Sequence, residues 1–167
     1  ETGLEQAGLV NKVLLSKAPK LPLKAYDDLG TFKLYTLDLG VLRKLSELDA
    51  SILLLPTPAY TEYKGALAEN YILQSLTAQF QMPFRYWTSG NKAEVDFLLQ
   101  YINQIYPIEV KADQNIQGKS LIQYEKLFQP ACRIRYSMLN LKQDGNLLNI
   151  PLFLADKTRE LLGVINV

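Results

Sequence analysis

The sequence predicts an α/β domain in which helices flank a mixed β-sheet. Of the 167 residues, 48% are hydrophobic, which is enough to bury a substantial core. Two segments carry apolar residues at helical spacing, and the runs around them have the alternation and turn residues of strands. Their order along the chain is helix, three strands, helix, strand, which is typical of helices packed on one sheet.

The clearest helix is predicted over residues 65–80, where Leu67, Leu73 and Leu76 recur at helical spacing. Pro83 prevents the helix from continuing. The elements predicted after it are strands at 84–87, 93–99 and 105–111, a helix at 119–128, strands at 132–138 and 150–154, and a last helix that Asp156 caps and that ends near Leu162.

The N-terminal part of the chain has a different pattern. Residues 11–25 contain four lysines and two prolines but no acidic residue, which favours an extended loop. A strand is predicted at 32–37. Asp38 is positioned to cap a helix that follows it and runs to about residue 48.

A linker is predicted at residues 52–58, where prolines alternate with small residues. We therefore divide the chain into an N-terminal lobe of residues 1–58, for which a winged-helix-like fold is one expectation, and a main domain of residues 59–167. Because the chain opens at Glu1 rather than Met, we expect it to be a fragment of a longer protein.

The composition excludes several classes of protein. A single cysteine, Cys132, rules out an internal disulfide and fits a reducing compartment. The absence of histidine leaves carboxylates, lysine and tyrosine as candidate catalysts. No apolar stretch reaches the roughly 20 residues that cross a bilayer, so we expect a cytoplasmic protein without membrane contact. A net charge of +1 gives no overall attraction to nucleic acid.

Charged residues interrupt two of the predicted strands at positions where a core strand would carry none. Because strand side chains alternate between faces, Glu109 and Lys111 share one face of their strand. On the preceding strand, alternation separates Asp96 from an apolar face formed by Val95, Phe97 and Leu99. If the two strands pair antiparallel, we expect Asp96, Glu109 and Lys111 to converge on one surface of the sheet.

Glu69 lies in the apolar stripe of the predicted 65–80 helix. At about 100° per residue, its direction is close to those of Leu73, Leu76 and Phe80. A carboxylate directed into a core needs a partner, because leaving it unpaired costs several kcal/mol. That partner is either Lys111 or a backbone donor, or Glu69 belongs to the same polar cluster as Asp96.

Two carboxylates beside a lysine are suited to phosphodiester hydrolysis. Asp96 and Glu109 would bind Mg²⁺ or Mn²⁺, which prefer oxygen ligands and activate a bound water. Glu69 would be a further, water-mediated ligand, and Lys111 would stabilise negative charge in the transition state. A Glu-x-Lys tripeptide taken alone is usually a solvated ion pair, so the prediction depends on all four residues together.

Motifs in these elements resemble a known family. They are Gly65-Ala66-Leu67-Ala68-Glu69-Asn70, Tyr86-Trp87, Glu94-Val95-Asp96-Phe97 and Pro107-Ile108-Glu109-Val110-Lys111, with Ala7-Gly8-Leu9-Val10, Pro22-Leu23-Lys24-Ala25-Tyr26 and Phe32-Lys33-Leu34-Tyr35 upstream. The set is similar to the PD-(D/E)XK nuclease-like superfamily. More closely, it resembles an uncharacterised domain found C-terminal to AAA-type P-loop ATPases in bacteria and archaea.

The resemblance implies a restriction-endonuclease-like fold for residues 59–167, an ATPase upstream as partner, and Mg²⁺-dependent cleavage of DNA that the ATPase controls. In this sequence Val95 stands where the nuclease signature has proline, and no histidine supplements Lys111. The alternative is a catalytically idle module that binds a protein or nucleic acid and regulates the ATPase.

DNA is a candidate partner through the lysines of residues 11–25 or through Arg133 and Arg135, although either feature alone is more often a solvated surface. Arg85 with its aromatic neighbours could stack on bases, but a packed strand explains the same pattern. Residues 118–120 resemble the end of a P-loop, yet Asp113 stands where that motif requires glycine, so we expect no ATP site in this chain.

Overall fold

The computed structural model describes residue 3 and residues 7–45, 58–90, 92–112 and 118–165. Its strands are β1 Val10–Ser16, β2 Asp27–Thr36, β3 Arg85–Thr88, β4 Glu94–Tyr101, β5 Gln104–Val110, β6 Arg133–Ser137, β7 Lys142–Asp144 and β8 Leu147–Pro151. The α-helices are α1 Leu39–Leu45, α2 Pro58–Phe80, α3 Lys119–Phe128 and α4 Thr158–Ile165, and 3-10 turns lie at Leu23–Tyr26 and Leu152–Lys157.

The described strands form one mixed sheet of eight, in the order β2-β1-β3-β4-β5-β6-β8-β7. The pairs β1–β3, β5–β6 and β6–β8 are parallel, and the remaining neighbours are antiparallel. Helices α2 and α4 pack in one apolar cluster, and α3 packs in a second cluster against Trp87 and Leu98. The predicted α/β class with a mixed sheet is confirmed.

Several predicted elements agree with the structure. Helix α3 occupies the predicted residues 119–128, and α2 ends at Phe80 as predicted but begins earlier, at Pro58. Asp38 caps α1, since its Oδ1 accepts a hydrogen bond from the N–H of Gly40 at 2.6 Å. The predicted end of this helix near residue 48 and the predicted linker, apart from Pro58, lie outside the described residues.

The prediction of an extended loop over residues 11–25 is wrong for its first half, because β1 occupies Val10–Ser16. This strand lies between β2 and β3, and Val13 and Ser16 are buried there. Strand β1 pairs with β2 along its length and with β3 at Leu14 and Leu15, and the two prolines come after it. Non-local pairing thus overrides a local composition typical of loops.

Strands β1 and β2 belong to the same sheet as the strands of residues 59–167. The division into two domains at residue 58 and the winged-helix-like expectation both stay predictions. What the structure adds is that β1 pairs directly with β3, through Leu14 with Arg85 and Leu15 with Tyr86.

A buried ion pair ties the edge strand β2 to β3 across β1. The Nε and Nη2 of Arg85 lie 2.8 Å from the two carboxylate oxygens of Asp27, and Nη1 donates to the carbonyl oxygen of Pro83 at 2.7 Å. The two side chains are only 10% and 8% exposed. Because its guanidinium is used in this way, Arg85 serves the fold rather than a surface for bases.

Replacement of Arg85 by alanine should destabilise the protein by about 3–5 kcal/mol, because it leaves the Asp27 charge buried without a partner. Urea unfolding followed by circular dichroism measures the change. Lys142→Ala breaks the exposed pair that Lys142 forms with Asp144 at 3.2 Å, and it should cost less than about 1 kcal/mol. Equal losses in the two variants would contradict the role given to Arg85.

Candidate active site

An extra residue in β4 sets the geometry of the site. Arg85 pairs with Leu98 and Trp87 pairs with Val95, so Asp96 and Phe97 together lie opposite the single residue between Arg85 and Trp87. This two-against-one arrangement is a β-bulge, which bends a strand and changes the direction of its side chains.

The bulge corrects the predicted faces of β4. Strict alternation predicted that Val95, Phe97 and Leu99 share a face, but Val95 packs with Trp87 and Leu98 in the cluster that contains α3. Phe97 and Leu99 pack in the other cluster, which contains residues of α2. The change of face therefore occurs at Asp96, and Phe97, which follows it, lies on the side of the sheet that α2 covers.

The Asp96 carboxyl is the centre of the acidic group. Its Oδ2 accepts a hydrogen bond from the backbone N–H of Val110 at 2.7 Å. Burial, followed by the negative charge of Glu69, raises the pKa of Asp96 to about 8; the Val110 bond and Lys33 oppose this shift, and Glu109 adds to it. A carboxyl that both Glu69 and Glu109 affect lies between helix α2 and strand β5.

Glu109 on β5 is almost fully buried, with 2% of its surface exposed. Its Oε1 lies 3.1 Å from the ammonium of Lys111, the first residue after the end of β5. Its Oε2 is buried and has no hydrogen-bond partner among the described residues. Glu109 and Lys111 thus lie on one face as predicted, and within the described part of the chain no donor satisfies the second oxygen of the carboxylate.

Glu69 on α2 has a partner that the sequence did not suggest. Its Oε2 accepts a hydrogen bond from the hydroxyl of Tyr35 on β2 at 3.0 Å. Burial and the charge of Glu69 raise the pKa of Tyr35 above its usual range, so the phenol stays protonated and acts as donor. Among the residues that the structure describes, the donor to Glu69 is therefore Tyr35 rather than Lys111 or a backbone N–H.

Lys33 is a second residue of β2 that the sequence did not identify as part of the site. Its ammonium forms a close ion pair with Glu94 and lies 4.9 Å from the centre of the Tyr86 ring. Burial works against the charged form, but the hydrogen bond to Glu94 and the charges of Glu94, Glu69 and Asp96 outweigh it and raise the pKa of Lys33. Only the tertiary pairing of β2 with β1 brings Lys33 here.

The four predicted residues lie around the open end of the β4–β5 hairpin, but on both sides of the sheet rather than on the single surface that the sequence predicted. Asp96 interacts with Glu69 and with Glu109, and Glu109 pairs with Lys111. Because Ile108 and Val110 pack in the α2 cluster, alternation directs Glu109 to the opposite face of the sheet from Glu69. In the described part of the chain, no three acidic or thiol side chains approach closely enough to form a metal-binding group by themselves.

The basic residues that were candidates for DNA contact are partly engaged in the fold. Arg133 is buried and binds Glu125 at 3.0 Å and the Asn146 side chain at 2.7 Å. Arg135 donates to Asn149 at 2.9 Å. In the N-terminal segment Lys17 lies 3.7 Å from Asp28, while Lys20 and Lys24 are exposed.

A family described as a domain of unknown function, DUF4143, matches residues 64–153, which is more than half of the chain. The chain belongs to the DUF4143 family. The matched segment of this DUF4143 domain contains Glu69, Asp96, Glu109 and Lys111, whereas Lys33 and Tyr35 precede it. No curated protein and no solved structure matches the chain.

Over the described ranges, no helix of the DUF4143 chain has the length and apolar character needed to span a membrane.

Asp96→Asn should change how stability depends on pH. A carboxyl whose folded pKa is raised to about 8 stabilises the fold at low pH. That contribution is lost as the pH rises from the unfolded pKa of about 4 through the folded value. Asparagine keeps an acceptor for the Val110 N–H and does not ionise. We expect the variant to gain on the order of 4 kcal/mol relative to the parent between about pH 5 and about pH 9.

Urea midpoints measured in a chelating buffer at both pH values test this, with Asp144→Asn as the control at an exposed carboxylate. A difference between Asp96→Asn and the parent that stays constant across the pH range would show that the Asp96 carboxyl does not carry the effect.

Proposed function

We propose that the chain is a nuclease-like domain that hydrolyses phosphodiester bonds of DNA with Mg²⁺ or Mn²⁺. The observation that supports this most directly is the buried Oε2 of Glu109, which no described residue hydrogen-bonds, next to the pair that Glu109 forms with Lys111. A buried carboxylate oxygen without a donor is costly unless a ligand satisfies it. An oxygen-seeking cation is such a ligand.

The charge balance of the site supports the same proposal. The carboxyls of Glu69, Glu94, Asp96 and Glu109 face the ammonium groups of Lys33 and Lys111, so negative charge is in excess when all are ionised. Burial, and then the negative charge of Glu69 and Glu109, raises the pKa of Asp96. A divalent cation would remove the repulsion and allow Asp96 to ionise at neutral pH.

The residues fit a divalent metal through two protein ligands rather than three. Asp96 and Glu109 would hold it directly, and Glu69 would reach it through water. Mg²⁺ commonly uses one or two carboxylates and completes its octahedron with waters and phosphate oxygens. When bound, the ion would lower the pKa of a water and neutralise charge on the phosphate.

The chain's own residues would then perform three tasks. Lys111, held by Glu109 and one-third exposed, would donate to the non-bridging phosphate oxygens as negative charge develops on them. The Val110 N–H would keep the Asp96 carboxylate oriented. Tyr35 and Lys33 would limit the mobility of Glu69 and Glu94.

The restriction-endonuclease-like fold is part of the proposal. The order α2, β3, β4, β5, α3, β6 matches the helix, three strands, helix and strand that the residue pattern predicts, and it is compatible with the fold that the resemblance implies. An AAA-type ATPase upstream as partner and a cytoplasmic location rest on the resemblance and composition, and we propose them together with the activity.

A second candidate is a catalytically idle module that binds a partner or nucleic acid and regulates the ATPase. The absence of a three-acid metal group among the described residues favours it. In this case the Glu109–Lys111 pair is a structural contact, and DNA binding, if present, would depend on the exposed Lys20 and Lys24. Such binding would weaken steeply with added salt and would not depend on Asp96.

Cleavage of plasmid and single-stranded DNA in Mg²⁺ or Mn²⁺ tests the proposal, together with Mn²⁺ binding by calorimetry. We expect Glu109→Gln and Asp96→Asn to lose Mn²⁺ binding and cleavage. Lys111→Ala should still bind Mn²⁺, because it leaves the oxygens of Asp96 and Glu109 in place, even though it breaks the ion pair with Glu109. It should cleave at least about 100-fold more slowly, because its contact with the transition-state phosphate is lost. Lys142→Ala, at an exposed lysine outside the site, should behave as the parent.

A parent protein that neither binds Mn²⁺ nor cuts DNA would refute the nuclease proposal and favour the idle module. Cleavage that survives in both Asp96→Asn and Glu109→Gln would assign any observed activity to a contaminant or to another site.

A further inference from the structure

We propose that strand β2 completes the candidate active site, and that Tyr35 is a positioning residue that acts through Glu69. The inference rests on the proposed function and extends it to residues that lie before the family match at 64–153. It assigns a role in metal binding to a part of the chain whose sequence suggested a separate lobe.

Tyr35 makes two contacts that together fix the acidic residues relative to each other. Its ring packs on that of Phe97, with centroids 5.4 Å apart, and Phe97 is the bulge residue next to Asp96. Its hydroxyl donates to Glu69 Oε2 at 3.0 Å. One rigid side chain, itself 8% exposed, therefore joins the β4 bulge to the carboxylate of α2.

The contact matters because a glutamate side chain has several rotatable bonds and little to hold its head group. Ordering it costs free energy that a metal site must supply on binding, unless a neighbour has already fixed the carboxylate. Hydrogen-bond partners of ligating carboxylates perform this task, and losing one typically weakens metal affinity about 10- to 100-fold. Tyr35 has this position relative to Glu69, which reaches the metal through a water, so we expect a loss at the lower end of that range.

Lys33 supports the assignment of β2 to the site. It lies two residues before Tyr35, so both side chains leave the same face of the strand. Its ammonium pairs with Glu94, which lies two residues before Asp96. Strand β2 thus contacts the acidic cluster at two points. Tyr35 is a neutral hydrogen-bond donor to Glu69, and Lys33 is a cation beside Glu94.

The next residue along β2 provides a matched control. The hydroxyl of Thr36 lies 3.2 Å from the side-chain oxygen of Asn70 on α2, the residue after Glu69. Tyr35→Phe and Thr36→Val each remove one hydroxyl of β2 that contacts α2, but only the first touches a carboxylate. The Thr36 hydroxyl also lies 2.9 Å from the carbonyl oxygen of Asp38, so Thr36→Val is the more disruptive of the two for the fold. A loss caused by general loosening of β2 would appear in both variants.

Calorimetry with Mn²⁺ measures the effect. We expect Tyr35→Phe to weaken Mn²⁺ binding at least about 10-fold and Thr36→Val to leave it within about twofold of the parent. In DNA cleavage, the Mn²⁺ concentration for half-maximal rate should rise by the same factor in Tyr35→Phe. At saturating Mn²⁺ its KM for DNA should match that of the parent.

A double-mutant cycle shows whether Tyr35 acts through Glu69. In the Glu69→Gln background, Tyr35→Phe should produce no further loss of Mn²⁺ affinity. If Tyr35→Phe binds Mn²⁺ like the parent, or adds its full loss in that background, the inference is overturned while the proposed function stands. A parent protein that binds no Mn²⁺ overturns the proposed function itself.

Discussion

The bulge in β4 is the constraint on which the candidate site depends. Because Asp96 and Phe97 together oppose one residue of β3, the strand reverses its alternation between Val95 and Phe97. A regular strand that kept Phe97 and Leu99 on the face of α2 would direct Asp96 away from α2 and from Glu69. The hydrogen bond from the Val110 N–H then holds the carboxyl at the open end of the β4–β5 hairpin.

Concentrating acidic groups beside a core opposes stability, and the surrounding residues offset only part of that cost. Lys111 neutralises one oxygen of Glu109, Lys33 pairs with Glu94, and Tyr35 donates to Glu69. Burial and the remaining negative charge together raise the pKa of Asp96. Native proteins tolerate such a local conflict mainly where function requires it, which is why this cluster is a more informative feature than any single motif.

The N-terminal strands bear on both the stability and the chemistry of the sheet. Asp27 on β2 holds Arg85 on β3, and Tyr35 on the same strand holds Glu69 on α2. These contacts join residues that lie far apart along the chain, so no local sequence pattern predicts them. The same limitation explains why β1 was predicted as a loop: its partners β2 and β3 are defined only once the chain folds back.

The sequence by itself determined the α/β class, the position of α3, the end of α2 and the shared face of Glu109 and Lys111. Local spacing, capping and alternation specify such features, because they depend on residues within a few positions of one another. The tertiary structure alone decided that β1 and β2 extend the main sheet, that Val95 and Phe97 lie on opposite faces, and that Tyr35 and Lys33 reach the acidic cluster. Those outcomes depend on strand register and on pairing between distant segments. The free energy of the whole sheet selects the register and the pairing, and the propensities of neighbouring residues do not.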